Sequence, residues 1–419
     1  MHYRFTIFSS FFKPLALFTF LFAGTVLRGA NLNLQQALEL AEQNHPQLRA
    51  GAAQVDVARA GMITAKAYPN PEAGFRAGGQ DYRVPGNVRG FVSTYQFAQP
   101  LELGPLRPAR MEVAERGRVS SELALETTRL AVLTNVRRTF FQALRKREEI
   151  EILNENLRLV EEFRQRLQVR VDVGEAGRLE LYRADAEVAT ARTAANSARL
   201  QYVAGLSQLR AAIGSTVDPN LTIEGTLDPP ITLPPLEDLR KEMIARHPLL
   251  RFARSEVDRS ESRLKYEVAL KRPQPSLVVE VDRPPDVPIY RAGINIPLPF
   301  WNKREGPIAE ATAQIRQARA LAESSELQLQ AALGGAYERY ELATTQLELF
   351  QKGLLQEAEA GLRAAETAYR LGERGILEVL DAQRVLRTVR LDLLNAQFDR
   401  EAALIDLEEL RAMDPRRRP

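Results

Sequence analysis

The stretch "GERGILEVLDAQ" (residues 372–383) interrupts a run that otherwise has the pattern of unbroken helix, and it contains two glycines three residues apart. Almost the same string, "GEAGRLELYRAD", occurs at residues 174–185. Glycine readily adopts the left-handed backbone conformation that ends a helix, so Gly372 and Gly174 are predicted to terminate outgoing helices. The second glycine of each string then eases entry into a returning helix. The two strings therefore predict two long helical hairpins of similar construction.

A second pair of similar segments indicates that the hairpins belong to a duplicated unit. "NHPQLRAGAAQVD" (residues 44–56) aligns with "RHPLLRFARSEVD" (residues 246–258), with His, Pro, Leu, Arg and Val-Asp in register. Such internal similarity decides the architecture of a chain. His45 and His247 each precede a proline, and proline is typical of the first turn of a helix. Both histidines are therefore interpreted as helix-boundary residues rather than metal ligands.

Each copy is predicted to contain a short helix, a longer helix, two strands, a very long helix, the double-glycine turn and a returning helix. Between Pro108 and residue 173 the first long run contains no further proline and a single glycine, Gly117. Its apolar positions follow the spacing of a coiled-coil seam: Ile150, Leu153, Leu157, Val160, Leu167 and Val171. At 1.5 Å per residue this helix would reach roughly 100 Å. It extends far beyond a compact domain.

Four segments alternate apolar and polar residues, which is the pattern of strands with two different faces. In "SLVVEVD" (residues 276–282) and "YRAGINIPL" (residues 290–298) every second residue is apolar. The first copy repeats the pattern with these apolar-face residues: Ala73, Phe75, Ala77, Phe91, Tyr95 and Phe97. Turn-forming links at residues 83–89 and 283–288 join each pair. Strands of about ten residues with this alternation are typical of outer-membrane barrels.

Four strands cannot close a barrel, because the smallest closed membrane barrels have about eight. An open sheet edge is not tolerated in lipid, since its backbone groups would lack hydrogen-bond partners. If these strands cross a membrane, several copies of the chain must assemble. The pattern alone leaves an alternative open, in which the strands form two hairpins of a soluble protein with one face packed on a helix.

Residues 1–30 have the features of a secretory signal peptide, with Arg4 and Lys13 ahead of an apolar run from Leu15 to Leu27 and the small residues Gly29 and Ala30 after it. The formal net charge of +3 comes from 57 Lys and Arg against 54 Asp and Glu. Arg4, Lys13 and Arg28 account for that excess, so the mature chain is close to neutral and has no basic character that would indicate nucleic-acid binding. The chain contains no cysteine, which excludes disulfides and thiolate metal sites.

No catalytic pattern is found in the sequence. It contains no phosphate-binding glycine loop, no G-x-S-x-G string and no histidine-containing metal motif. The sequence therefore predicts a protein that is not an enzyme and that needs no cofactor.

The predicted organisation is mainly α-helical with membrane β-strands. In chain order it comprises a signal peptide (1–30), a first repeat (31–226) with strands at about 72–82 and 90–101 and a helical hairpin at 108–213, a Pro-rich linker (227–235), a second repeat (236–412) with strands at about 276–284 and 289–299 and a helical hairpin at 304–412, and a tail (413–419).

The whole mature chain resembles the TolC-type outer-membrane efflux proteins, in particular the branch serving heavy-metal (cobalt, zinc, cadmium) efflux. The segments that carry the resemblance are "LNLQQALELAEQNHPQLRAGAAQVDVARA" near the start, "FAQPLELGPLRPARMEVAE" after the second strand, "INIPLPFWNKREGPIAEA" after the fourth strand, and both "GExGxLE" turns. Any one of these segments alone would be a weak signal, whereas their combination in a fixed order is specific.

The resemblance implies a homotrimer whose twelve strands close one barrel in the outer membrane of a Gram-negative-type cell. It implies a hollow periplasmic tube of helices that continues the barrel. It also implies two protein partners, a periplasmic adaptor (membrane fusion) protein and an inner-membrane RND-type transporter, together with outer-membrane lipid and no nucleic acid. The expected function is a passive conduit for heavy-metal cations, with the energy supplied by the partners.

The resemblance also implies roles for residues at the two turns. The expected adaptor contacts at the tips are Gly174, Glu175, Gly177, Gly372, Glu373 and Gly375. Glu378 and Asp381 lie three residues apart on one helix face and match acidic positions that form a constriction ring in the family. Tyr369 and Arg374 match positions that link the inner hairpin to its neighbour at Glu180, where the family commonly has Asp. The simpler alternatives are tight helical turns and an ordinary solvated face.

Two further functions stay open on the sequence. A passive tube contains no substrate pocket, so an outer-membrane duct for drug efflux or type I protein secretion is an alternative within the same class. A periplasmic adaptor or structural coiled-coil protein is an alternative of another class. It is disfavoured because adaptors usually carry one hairpin, whereas here the entire unit is duplicated.

Overall fold

A computed structural model describes residues 31–81, 88–214, 221–227 and 233–414 of the chain. The predicted signal peptide lies outside these ranges, as do most of the Pro-rich linker, most of the first strand-connecting turn and the end of the tail. Within the described ranges no helix has both the length and the apolar character that a membrane span requires.

The helices and strands repeat in the predicted order. They are β1 Asn31–Leu32, α1 Leu34–Asn44, α2 Pro46–Lys66, β2 Glu72–Gln80, β3 Gly90–Pro100, α3 Leu106–Asp172, α4 Arg178–Ile213, β4 Thr222–Ile223, α5 Leu236–Arg246, α6 Pro248–Ala269, β5 Ser276–Arg283, β6 Ile289–Asn295, α7 Glu305–Leu349, α8 Leu355–Arg370 and α9 Ile376–Leu410. The strand β6 ends four residues before its predicted end, because Pro297 and Pro299 have no N–H to donate to a ladder.

The four long strands form one antiparallel sheet in the order β2-β3-β5-β6. The register aligns the predicted faces across all strands: Phe75, Tyr95, Val281 and Tyr290 form one apolar row, and Gln96, Glu280 and Arg291 form part of a polar row. The Arg291 guanidinium donates to Glu280 at 3.0 Å and also binds Asp282. Most of the apolar side chains of this face are exposed, including Phe75, Tyr95 and Tyr290. Among the described strands, β2 and β6 each keep one free edge.

All four strand–helix junctions lie at the same end of the strands. The strands β2 and β5 begin there after α2 and α6, while β3 and β6 end there before α3 and α7. The helices therefore all extend from the same end of the strands. With 67 residues, α3 spans about 100 Å at 1.5 Å per residue. Consequently the two hairpin turns lie at the end of the molecule far from the sheet.

A buried ionic cluster joins the two repeats along the helices. Arg137 of α3 is 2% exposed, and its guanidinium donates to Glu401 of α9 at 3.2 Å and also binds Glu408. Burial disfavours the charged carboxylate and raises the pKa of Glu401 to about 7. Burial also raises the pKa of Glu408. Removing one member of such a buried cluster is costly, so the cluster holds α3 against α9.

The outgoing helix of the second hairpin is interrupted, where the sequence predicts one continuous helix. A single π-helical turn, Phe350–Leu354, separates α7 from α8. Within it Gly353 has a φ of 136°. This backbone conformation favours glycine, because a Cβ would be strained there. The interruption is specific to the second repeat, since α3 continues without a break from Leu106 to Asp172.

Candidate functional site

The two hairpin turns have the same backbone geometry. Gly174 and Gly372 take left-handed φ values of 82° and 77°, as predicted. At the first turn the Glu175 N–H donates to the Arg170 carbonyl at 2.8 Å, and the Gly174 N–H donates to the Val171 carbonyl at 3.1 Å. The second turn repeats both hydrogen bonds. This paired arrangement is the Schellman motif, which satisfies the last carbonyls of a helix.

The second glycine of each turn has a different task. Gly177 and Gly375 have φ values of −83° and extended backbone, and they are the N-cap residues of α4 and α9. Neither position requires glycine for its dihedral angles. The strict need for glycine is therefore confined to the first position of each string.

Both turns present apolar side chains to solvent. Val173 and Leu179 flank the first turn, Leu371 and Leu377 flank the second, and all four are exposed. Glu175 and Glu373 are also exposed, and Glu175 lies 3.6 Å from the Arg170 guanidinium. The six residues predicted as tip contacts are all exposed at these two turns, and their contact with an adaptor stays a prediction.

Tyr369 and Glu180 meet, as the resemblance implies. The Tyr369 hydroxyl donates to Glu180 Oε2 at 3.0 Å, which links α8 of the second hairpin to α4 of the first. The Tyr369 ring packs on Phe163 with 5.6 Å between ring centroids, and the Arg170 guanidinium lies 4.9 Å from the ring centroid. Burial, followed by the contact with Glu180, raises the pKa of Tyr369 to about 12. The hydroxyl therefore remains a donor at neutral pH.

Arg374 does not join this contact within the chain. It lies in the second turn, it is exposed, and it forms no ion pair with the residues that the structure describes. The link to Glu180 is thus made by Tyr369 alone in a single chain. A role for Arg374 between chains stays a prediction.

Glu378 and Asp381 lie in the first turns of α9, and both are exposed. They share one helix face, as their spacing predicts. Asp381 interacts electrostatically with Arg384, one turn further along α9. Asp381 is therefore less isolated than the sequence suggests, because its charge interacts with that of Arg384.

A second link between the hairpins was missed by the sequence reasoning. Glu187 of α4 is 5% exposed, and it accepts a hydrogen bond of 2.5 Å from Arg384 of α9. Arg387 lies 3.8 Å from the same carboxylate. Glu187 follows Glu180 by two helical turns on the same face, and this seven-residue spacing is the signal that could have revealed it. Two acidic residues of α4 thus hold the second hairpin.

The two histidines lie at helix boundaries, as predicted. His45 Nδ1 accepts from the Gln47 N–H and His247 Nδ1 accepts from the Leu249 N–H, both at 3.2 Å. Burial lowers the pKa of both imidazoles, which favours their neutral, accepting form. Both residues therefore act as N-caps of long helices.

Comparison with known families supports a relationship that covers both repeats. The profile of the family described as "Outer membrane efflux protein" matches residues 37–215 and 239–412. The cobalt-zinc-cadmium resistance protein CzcC of Cupriavidus metallidurans is 28% identical to this chain, over 87% of this chain and 86% of that protein. The outer membrane efflux protein BepC of Brucella suis is 22% identical, over 94% and 89%. The toluene efflux pump outer membrane protein TtgC of Pseudomonas putida is 24% identical, over 89% and 81%.

Solved structures share the fold. The structure of CusC has a TM-score of 0.79 at 17% identity and covers 93% of this chain and 96% of that chain. The open state of the Neisseria gonorrhoeae MtrE outer membrane channel has a TM-score of 0.75 at 18% identity, over 91% and 89%. The likeness therefore includes the sheet and both helical hairpins.

Proposed function

The chain belongs to the outer membrane efflux protein family, and on that basis we propose that it is the trimeric outer-membrane conduit of a tripartite pump for heavy-metal cations. Its location is the outer membrane, and its family consists of transport channels rather than enzymes. The observation that carries the substrate class is the 28% identity to a cobalt-zinc-cadmium resistance protein, which extends over 87% of this chain.

The free edges of the sheet support the assembly of several copies. One chain supplies four strands in the order β2-β3-β5-β6, and the exposed apolar face suits contact with lipid. Unpaired backbone groups at β2 and β6 are costly in a bilayer, so each edge requires a strand from a neighbouring copy. Three copies would supply the twelve strands that the family resemblance implies.

The first turns of α9 support a cation-selective constriction. Threefold symmetry would gather three copies of Glu378 and Asp381 around one axis, at the tip of the second hairpin. Carboxylates brought together attract cations and repel anions. Arg384 binds Glu187 and also interacts electrostatically with Asp381, so the proposed ring and the link between the hairpins share one arginine.

The exposed apolar rims of the two turns support docking of a periplasmic adaptor. They lie at the end of the helices far from the sheet, which is where a partner from the inner membrane would meet the tube. The energy for transport would come from an RND-type transporter in that membrane, as the resemblance to the heavy-metal branch of the family implies.

Resistance assays test the substrate class. Cells that lack the chain should become sensitive to cobalt, zinc and cadmium salts, and the wild-type chain should restore both tolerance and low metal accumulation. Cells tested in parallel with toluene and antibiotics should show no such dependence. Restoration of tolerance to the organic compounds without any effect on metals would contradict the proposal and favour a drug-efflux duct.

Single-channel recordings test the constriction. Glu378→Gln combined with Asp381→Asn should reduce cation selectivity and the block of current by divalent ions. Glu175→Gln in the turn of the first hairpin is the matched control, because it removes an exposed carboxylate next to Gly174 that lies outside the proposed ring. Equal selectivity in all three proteins would assign the constriction to other residues.

A further inference from the structure

Two buried amide side chains, one from each hairpin, line the same small cavity. Asn156 of α3 is 7% exposed and Gln383 of α9 is 4% exposed. Among the residues that the structure describes, Asn156 Nδ2 and both Nε2 and Oε1 of Gln383 are buried without a hydrogen-bond partner. A buried polar atom without a partner destabilises a folded protein. These three atoms therefore point to a ligand that the protein itself does not supply.

The cavity has room for one very small ligand. Its volume is about 10 Å³, which is close to the smallest space that holds a water molecule. It lies where α3, α8 and α9 meet, because Leu362 of α8 lines it together with the two amides. The other lining residues are Ile152, Leu159, Leu386, Arg387 and Arg390. The cavity thus lies in the contact between the two hairpins.

The three unpaired atoms determine which ligand fits. The two nitrogens are hydrogen-bond donors, and Gln383 Oε1 is an acceptor. One water molecule can accept from both nitrogens and donate to this oxygen. A direct hydrogen bond between the two amides would instead leave one polar atom of Gln383 unpaired. Water therefore satisfies more of these atoms than contact between the side chains does.

The charges around the cavity do not favour an ion. Arg387 lies 3.8 Å from the carboxylate of Glu187, and Arg390 lies 3.3 Å from that of Glu359. Each guanidinium that lines the cavity therefore already has a carboxylate partner. An anion would lie against the oxygen of Gln383, and a cation would lie against the amide nitrogens and the two arginines. A neutral ligand that both donates and accepts avoids these contacts.

We propose that one water molecule binds in this cavity and links Asn156 of α3 to Gln383 of α9. A water that bridges two protein groups is nearly as favourable as a direct hydrogen bond. It joins the hairpins at a point where the side chains alone leave polar atoms unpaired. The site lies within one chain, so it depends neither on the trimer nor on the transported substrate.

A crystal structure of the full-length wild-type protein, at a resolution that shows ordered water, tests the identity of the ligand. We expect one density peak at about 2.7–3.2 Å from Asn156 Nδ2 and from both amide atoms of Gln383. Crystals soaked in bromide or in rubidium salts should show no anomalous signal at that peak. A bromide signal would make this an anion site, and a rubidium signal would make it a cation site. Direct contact between the amides with no peak would also overturn the proposal.

Thermal unfolding followed by circular dichroism tests whether the two amides share the ligand. Asn156→Leu and Gln383→Leu should each lower the midpoint temperature, because each leaves the other amide buried without its bridge. The double variant removes both amides, so its loss should be smaller than the sum of the two single losses. Asn135→Leu is the matched control, since Asn135 is an exposed amide of the same helix, and it should change the midpoint little. Additive losses in the double variant would show that Asn156 and Gln383 do not share a ligand.

Discussion

The two hairpins are copies of one unit, yet only the second contains a joint. In the first, α3 runs for 67 residues without interruption. In the second, 45 residues of α7 and 16 residues of α8 are separated by the turn Phe350–Leu354. The jointed hairpin is also the one that carries Glu378 and Asp381. We propose that the first hairpin is a stiff post and that the second is an arm that can bend at this turn and that carries the proposed constriction.

The second hairpin contacts the first at three levels. Near the middle of the helices, Arg137 binds α9 from α3. Closer to the turns, Glu187 holds Arg384, and Tyr369 holds Glu180. The contact near the middle is fully buried, whereas each of the two nearer the turns has a partly exposed member, so the middle contact is expected to be the strongest. Substitutions at these contacts and at the helix interruption are expected to differ in the size of their effects.

The largest effect is expected at the buried ionic cluster of Arg137, Glu401 and Glu408. Arg137→Leu removes the cation that Glu401 and Glu408 share, and loss of one partner from a buried charge cluster costs about 3–5 kcal/mol. Thermal unfolding followed by helical circular dichroism should show a clear drop in the midpoint temperature at neutral pH. The drop should become smaller in acid, where both carboxylates are protonated. An unchanged midpoint would show that α3 and α9 are registered by apolar packing alone.

The same ionic cluster determines the direction in which the free energy of unfolding of the wild-type protein changes with pH. The pKa of Glu401 is raised from 4.5 to about 7, so between these pH values the folded chain binds more protons than the unfolded chain. The contribution of Glu401 to the free energy of unfolding therefore falls as pH rises from 4.5 to about 7 and is constant above. Glu401→Gln should flatten this part of the curve, and a curve of unchanged slope would contradict the assignment.

The next effect is expected at Glu187. Glu187→Ala removes a hydrogen-bonded carboxylate that holds two arginines of α9, which is worth about 1.5–3 kcal/mol for a charged hydrogen bond. We expect a higher open probability in single-channel recordings, because the arm is released from the post. Glu162→Ala is a matched control, since Glu162 pairs with Arg158 of its own helix on the outer hairpin. Similar conductance changes in both variants would remove Glu187 from the link.

The helix interruption at Phe350–Leu354 can be tested by adding a single methyl group. Gly353→Ala places a Cβ at a φ of 136°, where strain of about 1–3 kcal/mol is expected. The substitution should alter gating or assembly, whereas Gly334→Ala in the regular part of α7 has open space for a Cβ and should be silent. Equal behaviour of the two variants would mean that the interruption of the helix has no mechanical role.

The smallest effect is expected within the turns. Gly372→Ala introduces a side chain at a left-handed position and should cost about 1–2 kcal/mol. Gly375→Ala lies three residues away in extended backbone, so it should cost much less. Crosslinking to a purified adaptor should follow the same order, because only the first substitution distorts the turn. Identical adaptor capture by the two variants would argue against docking at this turn.

Much of this architecture could be predicted from periodicity, and the exceptions have physical reasons. Alternation in 276–282 and the repeated double-glycine strings were sufficient to predict the sheet faces and the turns, because they follow from backbone geometry. The interruption at Gly353 was not predictable, since a glycine inside a helix is usually tolerated. Glu187 was missed because burial of a charge depends on the partner helix, and Arg384 is distant in sequence.

Closure of the sheet by neighbouring copies can be measured directly by disulfide crosslinking, because the chain contains no cysteine of its own. Arg76→Cys on the free edge of β2 is combined in turn with Ile289→Cys, Gly293→Cys or Asn295→Cys on the polar face of β6, and outer membranes are oxidised. Gln96→Cys with Glu280→Cys, which lie opposite each other within one chain, controls for oxidation. We predict that at least one edge pair yields covalent species that end at three chains. Only single chains, or a ladder that continues beyond three, would contradict a closed trimer.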